Sequence, residues 1–343
     1  MKSNSTFIIV LLSSFLASCV SQLPLTNNES LAPEAIESSA ALEKADLPLS
    51  KITSESLYDL LVGDVALSRS QFDIALIKYA HQARVTEDKE VIQLALRIAE
   101  HLKDQAIRLE MTLLWLDIAP DSPEAHRVAL DTFMDSGNVL EALNHGSWLY
   151  QHRDDLDAFI FVSTAPLESP QLFALIMDRL TTLSLSDDKM ATIKFIQALF
   201  YQKHSQTIKA ETKVREFLVH KRQDQRGLLL LAQLLHQQEK KNEAIDVLEE
   251  ALQDDPSAHK LRLQYARFLA AESVEEAIVQ FNLLQVSDPQ DQEVNFLLGL
   301  LRLSQNKLDL AIPLFQQASS TPSLRANAQY HLGTIAERQK RIV

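Results

Sequence analysis

Over the last third of the chain a small residue returns in step. Ala232, Ala266, Gly299 and Gly333 follow one another at spacings of 34, 33 and 34 residues. A second series, Ala244, Ala277 and Ala311, trails the first by eleven or twelve residues, and a larger apolar side chain stands four positions further on at Leu248, Phe281 and Phe315. Pro256 and Pro289 close two of the units. A period of this length, written with few β-branched clusters and with only 6 glycines and 11 prolines in 343 residues, predicts a stack of helix pairs.

The residue types have a physical reason. Two antiparallel helices approach closely only where a bulky side chain is replaced by Gly or Ala, so the small residue of the first helix (A) is expected to face that of the second (B). The large residue four positions on is expected to fill the space between neighbouring repeats. Proline then stops helix B. Small, small, aromatic or leucine, and proline at this period resembles the tetratricopeptide repeat. The resemblance implies an all-α, right-handed superhelical solenoid.

Upstream the pattern continues more loosely. Gly63, Ala75 and Tyr79 keep the offsets of Gly299, Ala311 and Phe315. Val91 to Pro120 and Pro123 to Tyr150 are weaker copies, with Gly137 at an inter-helix turn, and Lys189 to His220 returns to form. Residues 152–187 carry Pro166 and Pro170 and read as an irregular helical joint between N-terminal repeats at 55–151 and C-terminal repeats at 188–343. The expectation is about eight helix pairs and a half repeat. That last half, "ANAQYHLGTIAERQKRIV", supplies a helix A but no partner, so Tyr330, Leu332 and Ile335 are expected to stay open, as in a truncated reading frame.

The first residues are of another kind. Lys2 precedes an apolar run, Phe7 to Leu16, too short to span a bilayer, and Leu16, Ala17 and Ser18 lead into Cys19, the single cysteine. These four residues resemble the bacterial lipobox. The resemblance implies a signal peptide over 1–18, lipidation of Cys19, and, with Val20 rather than Asp following, retention at the outer membrane facing the periplasm. Two or three acyl chains hold a protein where one does not. With Cys19 lipidated no thiol is left for a disulfide. Residues 19–54, rich in Ser, Ala, Glu, Asn and Pro, read as a flexible tether. The 35 residues from Val20 would span roughly 30 Å as a coil and at most about 120 Å extended.

The net charge of −13 and a pI near 5.2 argue against nucleic acid, which requires a basic face, and against lying flat on anionic lipid. The glycines are committed to packing and a turn, so no phosphate loop can be built, and neither H-E-x-x-H nor G-x-S-x-G occurs. His81, His145 and His152 read as solvated or capping residues, Trp115 and Trp148 as packing residues, and the acidic run Arg153 to Asp157 as a helix start. No catalytic residue, metal or cofactor is expected.

What remains is a surface for another polypeptide. Helix-A positions pointing away from helix B are Arg226, Gln233, His236 and Gln237 in one repeat and Glu293, Phe296, Leu300 and Leu303 in another. They are candidates for a partner groove, or for packing between repeats. "SLYDLLVGDVALSRSQFDIALIKYAHQA", "ALRIAEHL" and "LLWLDIAPDSPEAHRVAL" are similar to the opening repeats of the tetratricopeptide lipoprotein adaptors of pseudomonads and related proteobacteria. That resemblance implies a partner, a periplasmic carboxy-terminal processing protease that the adaptor holds and activates. The alternative is an assembly factor for pili, secretins or polysaccharide exporters, which would use the same kind of groove.

Overall fold

The computed structural model describes residues 53–167, 169–183 and 187–340. Cys19, the lipobox and all but the last two residues of the tether lie outside them. The described residues form seventeen helices. A first compact unit ends at Gln206 and a second begins at Thr207.

The first unit contains α1 (Ser54–Ser68), α2 (Phe72–Thr86), α3 (Lys89–Leu102), α4 (Gln105–Ile118), α5 (Pro123–Asp135), α6 (Val139–Arg153), α7 (Leu156–Val162), α8 (Pro170–Thr182) and α9 (Asp187–Lys203). The second contains α10 (Thr207–His220), α11 (Gln225–Gln237), α12 (Lys241–Asp254), α13 (His259–Glu272), α14 (Val274–Ser287), α15 (Gln292–Ser304), α16 (Leu308–Ala318) and α17 (Pro322–Lys340). The described residues form an all-helical solenoid of the tetratricopeptide type, and their helix number is that of eight pairs and a half repeat.

Local sequence sets the helix ends. Thr53, Asp88, Asp104, Ser122, Asp224 and Asp291 each accept a hydrogen bond from a first-turn amide of the helix they precede. In the acidic run, Asp155 accepts from the Ala158 amide at 2.9 Å, so this carboxylate starts α7, as its position in the sequence implies. Pro123 and Pro170 stand at the first helical turn, where a missing N–H costs nothing.

The turns between paired helices repeat as regularly as the packing. Ser70, Lys103, Gly137, Ser205, Glu239 and Asn306 all adopt positive φ, between 57° and 75°, at the 33- or 34-residue period or twice it. The series skips a beat twice, between 137 and 205 across the short α7 and Pro170, and between 239 and 306, where Ser273 is extended with φ −141°. Only Gly137 is free of the steric cost that a Cβ meets in this conformation. Glu239→Gly is therefore expected to raise stability by about 0.5–1 kcal/mol, read as a higher urea midpoint.

Many of the repeat positions named from sequence lie in the core, whereas Pro256, Pro289 and Gly333 are exposed. Ala75, Ala232, Ala244, Leu248, Ala266, Ala277, Phe281, Ala311 and Phe315 are fully buried, and Tyr79 nearly so. One detail of the packing differs from expectation. A Cβ placed on Gly63 would come within 2.9 Å of the Tyr79 ring, and one on Gly299 within 3.0 Å of the Phe315 ring. The glycine of helix A therefore makes room for the aromatic residue of its own helix B, rather than for the small residue opposite. A Cβ placed on Gly333 would meet nothing within 4 Å, so this glycine does not make room for a ring.

The last helix also differs. Of the three side chains expected to stay open, Ile335 is buried and Leu332 half-buried against the core of the second unit, because α17 packs on both α16 and α15. Tyr330 remains 65% exposed.

Polar pins join neighbouring helices inside each unit. Buried Asp59 of α1 accepts from Lys78 Nζ at 2.7 Å and Gln82 Nε2 at 3.0 Å, both on α2, and faces His81 Nδ1 at 2.9 Å. In the second unit, burial pushes the Glu211 carboxyl up, but Arg215, Gln238 and Lys240 outweigh it and hold the pKa at about 2. That carboxylate ties α10 to the turn between α11 and α12.

Candidate protein-interaction surface

The eight candidate groove residues divide sharply. On α11, Arg226 and Gln237 are exposed and Gln233 and His236 half-buried. The His236 ring stacks on Phe268 of α13 with centroids 4.4 Å apart, and burial, then Lys241, lowers its pKa. On α15, Phe296 and Leu300 are each 3% exposed and are core residues. Phe296 meets Phe315 edge-on at 5.7 Å and lies 5.9 Å from His331 of α17. Both drop out of an open groove, because α17 covers them. Leu303 is half-buried against the same cluster, and Glu293 pairs with the buried Arg267 of α13.

Between α10 and α13 lies a hollow of about 580 Å³, with Leu218, Leu228 and Leu231 at its apolar side and Arg215, Glu250 and Asp254 at its charged side. Nothing in it pairs a nucleophile with a base. Among the described residues no three His, Cys, Asp or Glu side chains are grouped to hold a metal ion, and no helix is long and apolar enough to cross a membrane.

A histidine cluster in the first unit was not anticipated as such. His126 of α5 and His145 of α6 approach Nδ1 to Nδ1 at 2.9 Å. His126 Nε2 lies 2.8 Å from the Pro120 carbonyl, which can only accept, so Nε2 carries the proton and the bridging proton between the rings belongs to His145. Trp148 stacks on His126 at 3.6 Å and on exposed His152 at 4.3 Å, while Phe133 stacks on His145. Burial, then the neighbouring His126, depresses the His145 pKa to about 4, and burial lowers that of His126. His145 is thus neither solvated nor a cap. His81 and His152 are exposed, and Trp115 is a buried packing residue. The only sequence hint of the cluster was the position of His126 and His145 on consecutive helices.

Helix pairs, turn period and buried small residues define a tetratricopeptide-type solenoid, and comparison with known proteins agrees. Residues 226–268, 265–324 and 296–343 match models of the tetratricopeptide repeat. TPR repeat-containing protein PA4667 of Pseudomonas aeruginosa is 29% identical over 232 residues, which cover 68% of this chain and 38% of that protein. The chain thus matches well under half the length of this curated relative. A tetratricopeptide repeat protein from Parabacteroides merdae covers 83% of this chain and all of its own at 11% identity and a TM-score of 0.44. MamA from Desulfovibrio magneticus RS-1 covers 46% of this chain and 88% of its own at 18% identity and a TM-score of 0.41. YrrB, described as a TPR protein with an unusual peptide-binding site, covers 62% of this chain and 100% of its own at 16% identity and a TM-score of 0.38.

Proposed function

We propose that this protein is a non-catalytic scaffold, anchored through lipidated Cys19 to the periplasmic face of the outer membrane, that recruits and activates a periplasmic carboxy-terminal processing protease. The observation that carries the reading is the similarity of the opening repeats, Ser56 to Leu130, to the lipoprotein adaptors of such proteases. It is supported by the match to a pseudomonad repeat protein and by the matches of residues 226–343 to models of the tetratricopeptide repeat. Tethering adds a mechanism. An anchored scaffold that grips both protease and substrate turns a bimolecular encounter into a local one, with effective concentrations that reach the order of millimolar for short flexible linkers.

The test has two arms. Cys19→Ser is expected to move the protein from the membrane fraction to the soluble periplasmic fraction with its helical circular dichroism unchanged; retention in the membrane would refute the anchor. In the second arm the full-length chain is mixed with the cognate processing protease. Co-elution and a raised rate of substrate cleavage are expected, and failure of both would refute the adaptor role.

A further inference from the structure

In the first unit α3 and α5 both pack on α4, and between them lies a pocket of about 250 Å³. Buried Leu96, the buried indole of Trp115 and half-buried Val128 make its apolar side. Arg97, Glu100, Arg108 and Asp131 stand on its polar side. Pockets that enclose a whole small molecule run from roughly 300 to 1,000 Å³, so this one has room for a single side chain.

The charges around this pocket do not close among themselves. Arg108 is paired with Asp135, and Arg127, one turn before Asp131 on α5, is paired with Asp155. Arg97 and Glu100 are both exposed, one turn apart on α3, and offset each other. Asp131 is left over. It is half-buried, and among the described residues no hydrogen bond or ion pair reaches its carboxylate. Burial pushes its pKa up, Arg127 and Arg108 pull it back, and Asp135 and Glu100 push it up again. An unpaired carboxylate held beside a tryptophan and two aliphatic side chains is a cost to the fold and a ready site for a cation. The indole already draws one: Lys89 Nζ, from outside the pocket wall, stands 5.8 Å from the centre of its ring.

Resting on the scaffold reading above, we infer that this pocket receives one arginine side chain of the protein partner, its aliphatic stem along Leu96 and Val128 and its guanidinium on the Asp131 carboxylate beside the Trp115 indole. Arginine fits both halves. Its stem is apolar, its planar head forks onto a carboxylate and stacks on an aromatic face, and it does not lose its charge. An acidic side chain in the same place meets Asp131 and Glu100 and is rejected. The net charge of −13 draws a basic segment toward the chain, and the pocket decides where it stops.

The probe is the peptide acetyl-Gly-Ala-Arg-Ala-Gly-amide, titrated by calorimetry into the full-length chain in detergent. Its counterpart carries citrulline for arginine, which keeps the shape and removes the charge. The arginine peptide is expected to bind at least about tenfold more tightly than the citrulline peptide. Asp131→Asn is expected to abolish that preference while leaving the urea midpoint unchanged or raised, because the carboxylate it removes has no partner in the fold. Asp117→Asn, an equal change of charge at an exposed position of α4 outside the pocket, is expected to leave the preference intact. No binding, equal affinities, a preference that survives Asp131→Asn, or one lost only together with a lowered urea midpoint would overturn the assignment. If the peptide fails while the chain still captures and activates the protease, the pocket assignment falls and the adaptor role stands. If the peptide binds through Asp131 and the protease is not captured, the adaptor role falls and the arginine pocket stands.

Discussion

Phe315→Ala is expected to destabilise the second unit by about 3–5 kcal/mol, the range for removing a fully buried aromatic ring. The Phe315 ring has no solvent exposure, lies over Gly299, meets Phe296 edge-on and stacks on His331 at 5.1 Å. Its loss opens a cavity bounded by α15, α16 and α17 at once. Because a solenoid is held by nearest-neighbour interfaces, unfolding should concentrate in residues 292–340. Urea unfolding with hydrogen exchange resolved along the chain measures both the size and the place of the effect. The ring-over-glycine contact makes a sharper claim. Gly299→Ala alone should destabilise, since its Cβ would crowd the ring, whereas the same change in a Phe315→Ala background should cost little or even help. A double-mutant cycle without such coupling would count against the contact.

Acidification should loosen the α5–α6 pair by about 1–2 kcal/mol, less than a fully buried pair would give because His145 keeps some contact with solvent. The folded pKa of His145 is depressed to about 4 and that of His126 is lowered, so between the unfolded value near 6.5 and these folded values the unfolded chain binds more protons. The stabilisation is full above about pH 6.5 and is lost as pH falls toward 4. The geometry limits relief. One added proton can sit on His145 Nε2 and leave the bridge intact, but a second must enter between two nitrogens 2.9 Å apart. Asp121 and Glu141 favour the cationic forms, and His152 opposes them, so the pair is not isolated from its surroundings. Urea midpoints collected from pH 8 to pH 4 should fall for the wild type and fall less for His126→Leu with His145→Leu.

The helix pairing was legible because its signal is periodic. Gly63 with Ala75 and Tyr79, and Gly299 with Ala311 and Phe315, repeat one set of offsets, and each set packs as a unit. What was not legible depends on a third helix. Phe296 meets Phe315 of its own partner helix as well as His331 of α17, and Leu300 joins the same buried cluster, so the register taken from one repeat misplaced them and carried no information about the cover that α17 provides. Ile335 was misread for the same reason. The Asp59 pin and the histidine pair were missed because each couples polar residues about twenty positions apart on different helices, with no period to announce it.

The aromatic ring resting on glycine has a consequence for how such a chain can be lengthened or shuffled. Gly63 and Tyr79, like Gly299 and Phe315, are partners sixteen residues apart within one hairpin. A crossover that joins the first helix of one hairpin to the second helix of another exchanges half of each such pair. A helix bearing alanine or anything larger then meets a ring that has nowhere to go, while a glycine set opposite leucine leaves a void. A crossover placed between hairpins keeps every ring with its own glycine. Chimeras cut at the turn after a second helix should therefore fold more often than those cut at the turn inside the pair, and duplication by whole hairpins is the route this packing leaves open.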